Sequence, residues 1–346
     1  MLKEILRKRE LPDFKTREEM LDILQKEEYG YLPEKPEKIT WKTTENFVPK
    51  FCASKADFSK IDLTCTLNGK DFTFPVYSVI PTKEGKYPFF IHINFRPDVP
   101  DRYMPTEELV DNGFAVLSFC YKDVTNDNDD FTDGLAGIIF ENGERKNPDD
   151  PGKISMWAWA AQRVLDYAES IEKLDKNCVT VCGHSRLGKT ALLASATDER
   201  FTFAYSNNSG CSGDAITRAK GGERVANITD EFPYWFCENY KKYIDKEHEM
   251  PFDQHFLLAA IAPRYVAVGA AKEDRWADPD SQMLCCVAAS DFYKKQNQKG
   301  FISENRLPQI DDVFHEGNIG YHLRAGTHYF SREDWLKLIH FINLHK

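Results

Sequence analysis

The stretch Val179-Thr180-Val181-Cys182-Gly183-His184-Ser185-Arg186-Leu187-Gly188-Lys189-Thr190-Ala191-Leu192-Leu193 decides how the rest of the chain is read. A β-branched run enters a glycine-bounded turn, and an Ala/Leu-rich helical pattern leaves it, which predicts strand, sharp turn and helix. Two chemistries use this layout. Gly183-x-Ser185 fits a nucleophile elbow, where a tight turn projects a serine hydroxyl and a helix N-terminus lies behind it. The strict elbow pattern has glycine two residues after the serine; here that place holds Leu187, and Gly188 comes one later. Gly183-x-x-x-x-Gly188-Lys189-Thr190, by contrast, satisfies the phosphate-loop pattern letter for letter.

Downstream residues weigh against the phosphate loop. Such a protein needs a carboxylate at a strand end to hold magnesium, and a group that orients water. The next predicted strand, Phe201–Ser206, runs into Asn207-Asn208 instead, and His184, Arg186 and Leu187 are bulky for a backbone that must wrap phosphate. The elbow predicts an acid after a later strand and then a histidine near the C-terminus. Asp274 follows the apolar run Tyr265–Gly269, and His328 stands in Gly326-Thr327-His328 before a final helix over Arg332–His345. In that order Ser185 is the nucleophile, His328 the proton shuttle and Asp274 the group that orients it. Asp278, four residues on in the same loop, is the second candidate for the acid. His184 and His92 are read as structural histidines, and the Asp-rich stretch 123–133 as solvated loop, because it lacks calcium-loop spacing.

The chain has 346 residues, 42% of them hydrophobic, enough for a large core. A net charge of −10 disfavours nucleic acid or an anionic membrane as a partner. No apolar run reaches the roughly 20 residues of a membrane helix, and the charged start Met1–Glu10 lacks the apolar core of a signal peptide, so a cytoplasmic location is expected. Nine cysteines without a Cys-x-x-Cys pair are expected to be reduced thiols, and no spacing suggests a metal site.

Working outward, an amphipathic helix is predicted over Arg17–Glu28, stopped by Tyr29-Gly30-Tyr31-Leu32-Pro33. Asn68-Gly69 between alternating segments signals a hairpin across 60–78. Tyr87–Phe95 and Gly113–Tyr121 read as strands buried on both faces, separated by a helix near Thr106–Asp111. Residues 122–152 are expected to form a long surface loop, and Ile154–Ile171 a long helix. This alternation predicts one α/β domain, 1–346, with a mostly parallel central sheet, helices on both faces and a helical or extended leading segment over about 1–58.

Gly183-His184-Ser185-Arg186-Leu187-Gly188-Lys189 resembles the Gly-Cys-Ser-Arg-x-Gly-Lys elbow of the glucuronoyl esterases, carbohydrate esterase family 15, and of relatives described as acetyl xylan esterases. Tyr29–Pro33, Pro251–His255 with Leu258–Arg264, Glu273–Pro279, and Ile319–His322 with Gly326–His328 resemble the same group, in its order and across most of the chain. The resemblance implies an α/β-hydrolase fold and a metal-independent serine esterase without a cofactor. It implies that Arg186 lies in the oxyanion hole, and that Lys189 and Trp276 face a sugar. Many members carry the acid as glutamate before a Ser-Gly; Asn208 stands there and cannot hold that charge, which returns the acid to Asp274 or Asp278.

Esters of glucuronic acid on xylan fragments are the expected substrate, with acetylated xylo-oligosaccharides second. A small carbohydrate ester is thus the expected partner. A phosphate-loop ATPase and a catalytically inactive carbohydrate-binding relative are the readings from other classes.

Overall fold

A computed structural model describes residues 1–346. Ten strands form one sheet: β1 (Lys38–Thr44), β2 (Ala56–Leu67), β3 (Lys70–Pro81), β4 (Tyr87–Asn94), β5 (Ala115–Cys120), β6 (Leu174–His184), β7 (Phe203–Asn207), β8 (Tyr265–Ala271), β9 (Val313–Phe314) and β10 (Ile319–Arg324). Their order is β1-β2-β3-β5-β4-β6-β7-β8-β10-β9. From β5 across to β10 the pairs are parallel, while β1-β2-β3 and the β9 edge are antiparallel. This is the mostly parallel α/β-hydrolase sheet that the resemblance implied.

The apolar runs explain the layering. In β4, Phe89, Ile91 and Ile93 belong to the larger core on one face, and Phe90 to the smaller core on the other. Val179 and Val181 of β6 alternate in the same way with Cys178 and Cys182. Successive side chains of a strand point to opposite faces, so both faces need cover. Helices Lys153–Ala168, Arg186–Thr197 and Pro279–Lys295 cover the first; Thr106–Asp111 and Arg332–His345 cover the second, with Leu109, Trp335 and Leu338 inserted. Every residue of Lys153–Ala168 except Asp166 is buried, the pattern of a helix between sheet and neighbours.

Two expectations are refined. The leading segment is not apart from the sheet: Lys38–Thr44 pairs antiparallel with β2 as its outermost strand. Its largely exposed residues give little alternation to read. Residues 122–152 contain the short helix Gly134–Ile139, anchored by buried Leu135 and Ala136, a patch too brief to show a helical period. The Asn68-Gly69 hairpin forms between β2 and β3, with φ of 51° and 68° at the turn, values suited to those two residues. The nine cysteines are free thiols, all buried except half-buried Cys52.

Candidate active site

In parallel strands all C-terminal ends lie along one edge, and ligand sites of such sheets form in the loops beyond it. Ser185 follows β6, Asn208 follows β7, Asp274 follows β8 and His328 follows β10. These residues line one cavity of about 360 Å³, together with Arg186, Lys189, Ser209, Glu223, Glu231, Phe232, Trp235, Trp276 and Ala277. The three residues expected as nucleophile, shuttle and acid thus line one cavity.

The elbow has the strain such a turn requires. Ser185 has φ 57° and ψ −127°, a combination costly for a residue with a Cβ, held by the strand before it and the helix after it. Gly183 is needed because a Cβ there would lie 2.2 Å from the Leu187 carbonyl oxygen. Gly188 is needed for another contact: a Cβ would lie 2.7 Å from Ser206 Oγ, where the helix presses on the β7 loop. The late glycine therefore serves packing.

The same backbone cannot wrap a phosphate. The Ser185 N–H donates to the Asn207 carbonyl at 2.8 Å, and the Gly188 and Lys189 N–H groups donate to the Ser185 carbonyl at 2.9 and 3.3 Å. Lys189 is 3% exposed, and its Nζ donates to the carbonyls of Ser209 and Cys211. An ammonium has three donors, so one remains for the cavity, with Glu223 Oε2 4.0 Å away. Lys189 thus lines the cavity wall, but most of its bonding secures the loop after β7. That loop is also wound on buried Asp214, which accepts from the Gly210 and Ser209 N–H groups, Ser206 Oγ and Gln282 Nε2.

His328 Nδ1 lies 2.6 Å from Asp274 Oδ2; the carboxylate is 3% exposed and the imidazole 45%. A buried carboxylate on Nδ1 fixes the tautomer and leaves Nε2 free to take a proton. Asp278 is engaged elsewhere: it caps helix Pro279–Lys295, accepting from the Ser281 N–H and Oγ, and from the Gly221 N–H. Asn208 is 1% exposed and donates weakly from Nδ2 to the Tyr329 carbonyl at 3.4 Å.

Arg186 opens helix Arg186–Thr197, so its N–H is among those without an intrahelical acceptor. Its guanidinium is held by Asp127 through Nη1 and lies over Trp235 at 4.5 Å and Phe232 at 5.0 Å. Phe232 and Trp235 stack face to face, 3.8 Å apart. Asp127 also accepts from Tyr121 Oη at 2.8 Å and Trp235 Nε1 at 2.7 Å, which fixes the carboxylate and with it the arginine. Sequence reasoning missed Asp127, Phe232 and Trp235. One aspartate in an Asp-rich loop carries no mark that separates it from its solvated neighbours. Trp276, 53% exposed, presents a broad apolar face at the mouth.

The family model described as glucuronyl esterase, fungi, matches residues 63–297. Carbohydrate esterase MZ0003 of an unknown prokaryotic organism is 36% identical over 240 residues, covering 69% of this chain and 55% of that protein. The 4-O-methyl-glucuronoyl methylesterase 1 of Phanerochaete chrysosporium is 27% identical over 299 residues, covering 80% of this chain and 57% of its own. The solved glucuronoyl esterase from Solibacter usitatus is similar with a TM-score of 0.87 and 30% identity, covering 95% of this chain and 92% of that one. The chain therefore spans little more than half the length of these two curated relatives and nearly all of the bacterial structure. The match over residues 63–297, and the likeness of fold beyond it, place this chain in the glucuronyl esterase family, carbohydrate esterase family 15.

Proposed function

We propose that this protein is a serine carboxylic-ester hydrolase that cleaves glucuronoyl esters on xylan fragments. The observation that carries the proposal is the buried Asp274 carboxylate on Nδ1 of His328, in the cavity where the elbow presents Ser185. Ser185 Oγ attacks the ester carbonyl while His328 Nε2 takes its proton, and the imidazolium is stabilised by Asp274. The carbonyl oxygen gains the electron pair and is met by the Arg186 N–H and guanidinium. On collapse the alcohol leaves with the proton from His328, and an acyl-enzyme remains. Water, deprotonated by His328, then releases the glucuronic acid and restores Ser185.

The acyl side follows from the names of relatives such as the Phanerochaete chrysosporium methylesterase and from the wall itself. Trp276 offers a sugar ring apolar contact, and the remaining Lys189 donor with Glu223 offers its hydroxyls polar partners.

The test is hydrolysis of a methyl 4-O-methyl-glucuronate ester beside an acetylated xylo-oligosaccharide. A kcat/KM at least about tenfold higher for the glucuronate is expected, from polar contacts that acetate cannot make. Acetate release alone would move the substrate to acetyl esters. Binding of the oligosaccharide without turnover of either ester would make this an inactive carbohydrate-binding relative.

Arg186 gives a second expectation. Arg186→Lys removes the planar fork and is expected to lower kcat by about 10²- to 10³-fold, the scale of a lost oxyanion donor. Asp127→Asn leaves the arginine in place with a weaker, uncharged anchor; steady-state kinetics should show kcat down by about tenfold and KM nearly unchanged.

A further inference from the structure

His184 precedes the nucleophile, and the structure brings it somewhere its place in an apolar strand did not suggest. It ends β6 in register with Asn207 of β7, and Gly269 and His322 continue the row across β8 and β10. Its ring centroid lies 4.4 Å from that of His328, the planes inclined by 44°. Tyr103 at 5.2 Å, Phe95 at 6.1 Å and Phe330 at 6.3 Å complete its surroundings, and the residue is 3% exposed.

The tautomer of His184 follows from its partners. Asn207 donates from Nδ2 to Tyr205 Oη at 3.3 Å, and Asn208 donates to Asn207 Oδ1 at 3.4 Å, so Asn207 Oδ1 is an acceptor. His184 Nδ1, 2.7 Å from that oxygen, therefore carries the proton and donates it. A ring fixed in this way cannot turn, and it offers His328 a rigid face. His328 needs one. Its loop is anchored by Arg324 Nη2 to the Thr327 carbonyl at 3.2 Å, but the half-exposed ring itself has one hydrogen bond, to Asp274.

We propose that His184 is a positioning residue for His328: its imidazole is the neutral face against which the shuttle ring is held, so that the reaction's proton is carried by His328 alone. This rests on the hydrolase reading above. Two imidazolium ions this close would repel strongly. Burial, and then the neighbouring His328, push the His184 ring down to about 3, so it stays uncharged through the working range. The charged and titratable groups around the pair are Asp274 from the loop after β8, Asp334 from helix Arg332–His345, and Tyr103 from the loop after β4. Arg324 of β10 is engaged by Asp334 at 2.8 Å.

The test compares His184→Ala with His184→Phe on the glucuronate ester, with active enzyme counted by fluorophosphonate titration. His184→Ala is expected to lower kcat about tenfold with KM within about twofold, the scale of a loosened catalytic group. His184→Phe keeps a dry aromatic face and should retain kcat within about threefold. If His184→Ala does not fold, His184→Leu, which fills the space without an aromatic face, takes its place, with the same fall in kcat at a nearly unchanged KM. A wild-type kcat in the alanine variant would overturn the proposal. So would a phenylalanine variant that falls as far as alanine, since an aromatic face would then not be what holds His328. Ser185→Ala and His328→Ala run alongside: their retaining wild-type turnover would instead show that the hydrolase reading had failed, and the proposal with it.

Discussion

Ser185→Ala is expected to cut turnover of the glucuronate ester by about 10⁴-fold or more, because no other hydroxyl at the elbow can form the acyl-enzyme. The loss should fall on kcat, with KM changed little, since the hydroxyl contributes to bond formation more than to ground-state binding. Alanine at 185 faces the same backbone demand as serine, φ 57° and ψ −127°, so the fold and its thermal midpoint should be preserved. A fluorophosphonate should label wild type once, at Ser185, and leave the variant unlabelled; mass spectrometry reads both. Retained turnover in Ser185→Ala would remove the nucleophile assignment and with it the acyl-enzyme mechanism. Labelling at another serine would say where the nucleophile lies.

The second large effect separates two aspartates four residues apart. Asp274→Asn keeps size and shape but replaces the carboxylate at 2.6 Å from His328 Nδ1 with a neutral amide. The amide can favour the wrong imidazole tautomer and cannot stabilise the imidazolium, so kcat is expected to fall by about 10⁴-fold. Asp278→Ala should behave in the opposite way. It removes the cap of helix Pro279–Lys295, costing about 0.5–2 kcal/mol of stability, while kcat stays within a few-fold of wild type. Paired kinetics and thermal melts decide the matter. Loss of activity in Asp278→Ala with retention in Asp274→Asn would exchange the two roles.

Much of this protein was legible because its signals are local. Strands buried on both faces advertise themselves as continuous apolar runs, and β4, β5 and β8 are legible that way. The turn at Gly183–Ser185 is legible because a strained backbone demands particular residues: glycine where a Cβ would strike the Leu187 carbonyl, and then the exposed serine. The order serine, acid, histidine follows from which strands carry loops at the site edge of a parallel sheet. The match of residues 63–297 to one family model, with the likeness of fold, places the chain.

The partnerships between loops were decided only by the tertiary structure. Asp274 and Asp278 share one loop and one residue type; the turn that sends the first to His328 and the second to a helix end depends on where β8 and the following helix sit. Asp127 meets Arg186 across 59 positions of sequence, and neither residue type nor spacing links them. Lys189 satisfied two motifs, yet its ammonium is spent largely on the carbonyls of Ser209 and Cys211, which reach it only once the β7 loop folds back. His184 reads as a structural histidine, and the closure of the β10 loop sets it against His328. Periodicity and turn chemistry act over a few residues and are written in the sequence. The position and bonding of a side chain at the end of a strand depend on every loop that converges there.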